Sequence, residues 1–257
     1  MLSFATLEPM TLLIVCPLVF LAMLVDAISG GGGLISLTAY LAAGIPAHVA
    51  LGTNKLSSAI ATLVATGRFI ANGFVNFKLG VLAAVFALLG SFLGAKIALS
   101  VPDGVIQMIM VFALPVVAFF VLRKKVLVDV ATDIPFKKQA AIVALFSFLI
   151  GGYDGFYGPG TGTFMLIAFS AAAKIPSKEG SGIVKCANLA SNVAALITFA
   201  LNGMVYWELG LIAAIFGVVG SYVGSGLVLK DGSKVIRPVM LIVLAILFVK
   251  VLSDIFL

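Results

Sequence analysis

Two lysines, Lys55 and Lys185, sit inside apolar stretches at matching places, each nine residues past a proline, Pro46 or Pro176. A cation at the bilayer centre costs roughly 2.5–3.5 kcal/mol on insertion scales, so it turns towards a partner or a watery cavity. Two chemistries fit. Each ammonium can snorkel along its alkyl stem to the nearest interface, or both can point at a shared axis and attract a small anion. Polar residues at helical spacing surround each lysine: Thr53, Asn54, Ser57, Ser58, Thr62 and Thr66 in the first stretch, Ser181, Asn188, Ser191, Asn192 and Thr198 in the second. Neutral donors beside a cation suit an oxyanion that must be held and then released. The same groups also serve as interhelical glue, each for under about 2 kcal/mol.

A glycine-rich break precedes each lysine: four glycines from Gly30 to Gly33, and Gly-Pro-Gly-Thr-Gly from Gly158 to Gly162. A half-helix starting after such a break presents free backbone N–H groups and the positive end of its dipole, a natural anion site. The candidate substrate contacts are therefore Lys55, Lys185, Asn54, Ser57, Asn188, Asn192, Gly32, Gly33, Gly160, Thr161 and Gly162. Asp26, just before the first break, and Asp154, just before the second, are the acidic residues inside apolar runs. They can carry a coupling proton or sodium ion, or simply close a helix. Arg68 reads as an interfacial residue and His48 as a loop residue near the outer mouth. With one histidine and no GxSxG or HExxH pattern, an enzyme is not expected. Cys16 and Cys186 lie in apolar segments without metal-like spacing and read as packing residues; no cofactor or metal is expected.

The lysines belong to a repeat written twice at an offset of 130 residues. Pro46 matches Pro176, Asn72-Gly73 matches Asn202-Gly203, Leu79-Gly80 matches Leu209-Gly210, Gly90-Ser91 matches Gly220-Ser221, and Gly94 matches Gly224. An internal repeat in an apolar chain marks a transporter built from two related halves. Hydrophobic residues make up 62% of the 257 and charged residues 10%, and the mean hydropathy of +1.25 is that of an integral membrane protein. The first ten residues hold no Lys or Arg and include Glu8, which argues against a cleaved signal peptide.

Apolar runs of spanning length are expected at Thr11 to Ile28, Val49 to Ala71, Leu79 to Leu99, Val105 to Leu122, Gln139 to Gly151, Gly180 to Leu201, Leu209 to Leu229 and Val235 to Val251. Leu34 to Ala43 and Phe164 to Ala173 are too short to cross a ~30 Å core, and non-helical backbone at that depth survives only against protein or a watery cavity. The fold class expected is an all-α polytopic membrane protein. It has two inverted repeats with glycine-broken, re-entrant helices, and about 8–10 helical segments. Residues 1–122 and 139–257 form the two transmembrane repeats, and 123–138 a basic linker.

If each half crosses an odd number of times, Lys78, Arg123, Lys124, Lys125, Lys137, Lys138, Lys174, Lys178, Lys230, Lys234 and Arg237 share one face. His48, Lys96, Glu208 and Lys250 are left on the other. That bias makes the basic face cytoplasmic, with both termini outside the cell membrane. Beyond lipid, the partners expected are a small anion and a coupling proton or sodium ion, with no nucleic acid; a homo-oligomer is left open.

These residues carry a resemblance. Asp-Ala-Ile-Ser-Gly-Gly-Gly-Gly-Leu-Ile from Asp26, Gly-Thr-Asn-Lys from Gly52, and Gly-Tyr-Asp-Gly-Phe-Tyr-Gly-Pro-Gly-Thr-Gly from Gly152 resemble the TauE/SafE family of sulfite and sulfonate transporters. Lys185-Cys186-Ala187-Asn188 and Asn202-Gly203-Met204-Val205-Tyr206-Trp207 extend the likeness into the second half. The resemblance implies a plasma-membrane carrier of small sulfur-containing anions such as sulfite, sulfoacetate or related organosulfonates. A passive anion channel, a carboxylate carrier and a non-transporting membrane subunit are the alternatives. Export of an anion from a negative cell interior gains roughly 2.3 kcal/mol per charge per 100 mV and needs no ion partner, whereas uptake does.

Overall fold

The computed structural model describes residues 8–102, 104, 105, 134–232, 234–236, 238, 239 and 242. The runs expected at Val105 to Leu122 and Val235 to Val251, and the linker's Arg123, Lys124 and Lys125, lie largely or wholly outside them. The described residues are all-helical. Among them, four helices lie in the first half: α1 (Pro9–Ser29), α2 (Gly33–Ala42), α3 (Ala47–Ala71) and α4 (Phe77–Leu99). Four more lie in the second: α5 (Phe136–Phe156), α6 (Thr161–Ala171), α7 (Ser177–Leu201) and α8 (Trp207–Asp231). By length and composition α1, α4, α5, α7 and α8 can cross a membrane. At 1.5 Å per residue α2 and α6 reach only about 15 Å.

The repeated motifs are helix punctuation. Pro46 and Pro176 stand just ahead of α3 and α7, where a fixed φ suits the first turn and a missing N–H costs nothing. Both helices end at Asn-Gly. The Asn72 and Asn202 side-chain amides donate to Arg68 O (2.7 Å) and Thr198 O (2.8 Å). Gly73 and Gly203 then take φ +72° and +71°, and paired backbone bonds to Ile70 and Phe69, and to Ala200 and Phe199, close each end.

Each half leans on the other. Gly90 and Gly94 of α4 press on the backbone of α5 at Phe148 and Gly152, and their repeat partners Gly220 and Gly224 of α8 press on α1 at Phe20 and Leu24. The lack of a side chain is what allows these backbones to meet. Ser91 donates to Ser191 O and Ser221 to Ala61 O, both at 2.7 Å; these are one bond written twice at the repeat offset. Small residues line the inner faces of α4 and α8, while Val81, Leu88, Phe92, Leu211, Ile215 and Val219 stand exposed on the outer ones. That large-out, small-in pattern is how a helix packs when lipid, not water, surrounds it.

The contacts also fix directions. Along α1 and α8, Phe20 meets Gly220 and Ala27 meets Gly224, so the two run parallel. Thr53 with Tyr206 and Ala61 with Ser221 make α3 parallel to α8. The second half repeats this: α4 runs parallel to α5 and α7, by Gly94 with Phe156 and Ser91 with Ser191. Between the halves, Lys55 meets Asn192 and Thr66 meets Lys185, so α3 and α7 run antiparallel.

Candidate functional site

The two glycine breaks touch. Gly30 caps α1 with φ +78°, and its carbonyl accepts from Thr163 N at 3.2 Å while Ser29 O accepts from Thr163 Oγ1 at 2.8 Å. α2 and α6 therefore both begin at the centre of the molecule. Lys55 and Lys185 are each the ninth residue of a 25-residue helix, and they flank this junction from opposite sides.

Neither lysine reaches the protein surface. Lys55 is 2% exposed and Lys185 1%, and each pairs with a carboxylate of the other half. Lys55 Nζ lies 2.8 Å from Asp154 Oδ2 and donates to Asn192 Oδ1 at 3.2 Å. Lys185 Nζ lies 3.1 Å from Asp26 Oδ2 and also bonds the Asp26 main-chain oxygen. Burying such ions is repaid only by close pairing and further hydrogen bonds. Asp154 has one, from the Ser191 hydroxyl.

Between the breaks lies a small polar cavity of about 30 Å³, room for about two waters. Of the residues singled out from the sequence, its wall holds Asp26, Gly33, Asn54, Lys55, Asp154, Thr161, Gly162, Asn188 and Asn192. Four of the candidates lie elsewhere. Lys185 is turned to the end of α1. The Ser57 hydroxyl accepts from Tyr40 and donates to Asn54 O. Gly32 packs against Ala22, and Gly160, at φ +81°, is the turn before α6. Met23, Gly30, Ser58 and Gly158 line the cavity without having been singled out as contacts. Nor was Ser191 assigned to Asp154, although it stood in the polar stripe around Lys185.

Two wall atoms are orphans: Asn54 Oδ1 and Asn188 Oδ1 are buried with no hydrogen-bond partner. A buried carboxamide oxygen left unpaired is costly, and rotation of the amide exchanges it for two N–H donors. Around this cavity, with the N-termini of α2 and α6 aimed at it, the groups can hold a small charged guest.

Arg68 lies over the Tyr222 ring at 3.9 Å and donates to Ser225 Oγ at 3.1 Å. His48 differs from expectation. It stands in the first turn of α3, not in a loop, with Nε2 3.0 Å from Ala98 O.

The sequence profile described as sulfite exporter TauE/SafE matches residues 15–251. The chain belongs to the TauE/SafE family. Its TauE/SafE relatives include the "probable membrane transporter protein ORF9" of a Sinorhizobium species, 36% identical over 91% of this chain and 90% of that one. Another is the "probable membrane transporter protein YfcA" of Escherichia coli K12, 32% identical over 98% and 94%. A "probable membrane transporter protein" of Haemophilus influenzae is 31% identical over 91% and 92%. No solved structure matches. As a TauE/SafE protein with at least five helices able to span a bilayer, the chain is a multi-pass membrane transporter.

Proposed function

We propose that this protein is a secondary transporter of small sulfur-containing anions, sulfite, sulfoacetate or a related organosulfonate, working by alternating access across the plasma membrane. The observation that carries the reading is the cavity between the breaks, which brings Lys55, three asparagines and the starts of two half-helices to one point. Half-helix N-termini at the middle of a repeat-built carrier are where anionic groups of substrates bind. With room for about two waters, the cavity is on the scale of one small guest.

The repeats are read as inverted. The antiparallel run of α3 and α7 supports this, as does the parallel run of α1 and α3, which makes the break and α2 together turn the chain back. With those directions Lys78, Lys137, Lys138, Lys174, Lys178 and Lys230 fall on one side, and His48, Lys96 and Glu208 on the other. The basic side is read as cytoplasmic. Single cysteines placed in loops 72–76 and 202–206 are expected to label from opposite sides of the membrane; labelling from one side rejects the inversion.

The substrate reading is tested in liposomes with sulfite, sulfoacetate, thiosulfate and acetate. Saturable flux and counterflow of a sulfur anion are expected. Linear flux without counterflow would make the protein a channel, and acetate alone would make it a carboxylate carrier.

A further inference from the structure

Among the described residues no bare cation faces the cavity. Lys55 is paired with Asp154 and bonded to Asn192, and the two lysines and two aspartates of the site sum to zero charge. A single anion entering this buried, neutral cluster would leave one negative charge uncompensated, which a low-dielectric site does not tolerate. Something positive must come with it.

Resting on the carrier reading above, we infer that Asp154 and Lys55 form a proton-gated anion site. The anion replaces the Asp154 carboxylate as partner of Lys55 Nζ when that carboxylate takes up a proton, so each monoanion moves with one proton and its transport is electroneutral. The balance is simple. One O–H bond forms on an Asp154 oxygen, Lys55 keeps its proton, the anion brings −1 and the proton +1, and release on the far side reverses both steps.

Three observations favour Asp154 over Asp26 for this role. Asp154 and its lysine both line the cavity, whereas Lys185 is not in the wall. Lys185 also bonds the main-chain oxygen of Asp26, which ties α7 to the end of α1 whatever the carboxylate does. Ser191, now donating to Asp154, can accept from its protonated form, because a hydroxyl serves either way. The orphaned Asn54 and Asn188 oxygens point independently to a guest. As built they call for a proton-bearing one, and turned over they offer N–H groups to an oxyanion. Of the other ionisable groups, Asp26 from α1 shares the cavity wall with Asp154, Tyr153 stands on α5 and Tyr157 caps its end, and α7 carries Lys185, paired with Asp26, with Cys186 next to it and Lys178 and Glu179 near its start. α6 bears none, and α4 only Lys78 and Lys96, one near each end.

The test uses the full chain in liposomes with radiolabelled sulfite and methanesulfonate, the latter a monoanion at every working pH. With the outside one pH unit more acidic, the wild type is expected to accumulate methanesulfonate about tenfold. A 100 mV potential, which would drive an uncompensated anion by about fiftyfold, is expected to leave that ratio unchanged. Asp154→Asn is expected to lose the pH-driven accumulation and Asp154→Glu to regain it, which separates a lost proton site from a lost fold. Flux that follows the potential and ignores pH overturns the coupling and leaves the carrier reading standing. No saturable flux of either anion in the wild type overturns the carrier reading, and the coupling with it.

Discussion

Lys55→Met is expected to abolish anion flux and to lower stability at once, because the same ammonium holds the guest and balances Asp154. Removing one partner of a buried ion pair costs roughly 3–5 kcal/mol, since the other charge stays buried and unpaired. At 2% exposure there is little water to soften the loss. Adding Asp154→Leu removes the orphaned charge, so the double variant should recover most of the lost melting temperature in detergent yet still carry no anion. Flux from Lys55→Met at the wild-type rate would make the lysine a structural anchor and move the site to the glycine breaks alone. The paired measurement matters because the two roles separate only in the double variant.

Gly30→Ala should destabilise the fold strongly. Gly30 holds φ +78°, and a Cβ there would run into the backbone of Gly162 and Thr163. Left-handed strain of about 1–3 kcal/mol and overpacking of about 1–3 kcal/mol add to roughly 2–6 kcal/mol. That is a large share of the roughly 5–15 kcal/mol that holds a typical fold. Gly73→Ala is the matched control: φ is +72°, but nothing lies within 4 Å of the added carbon. Monodisperse yield in detergent and thermal unfolding compare the two. If Gly30→Ala behaves like Gly73→Ala, the contact between the breaks contributes nothing to the fold beyond its backbone angle.

Much of the architecture was legible because membrane helices are spelled in long apolar words with few stops. The runs expected to stop at Ala71 and Leu201 do so in α3 and α7, and the two short apolar pieces became α2 and α6. The matching places of the two lysines were legible too, each nine residues past a proline and each the ninth residue of its helix. Their partners were not. Asp26 and Asp154 lie 128 residues apart where the repeat offset is 130, so matching positions one to one pairs neither with the other. The ion pairs also cross between halves, which no local spacing encodes. Ser57 misled for a different reason: its place in the polar stripe is right, but Tyr40 from the short α2 takes its hydroxyl. His48 was misplaced because Pro46 starts the helix one residue before it.

The reciprocal embrace of the halves has a consequence for the order of synthesis. α1 rests on α8 and α4 on α5, so the amino-terminal half leaves the ribosome before most of its own neighbours exist. Lys55 is made 99 residues ahead of Asp154, and Asp26 is made 159 ahead of Lys185. Until then each is a lone charge in a nascent hairpin, held by the translocon or the headgroup layer because hydrocarbon will not take it. The transporter is therefore closed from its second half: α5 and α7 deliver the counter-ions that let the first helices sink home.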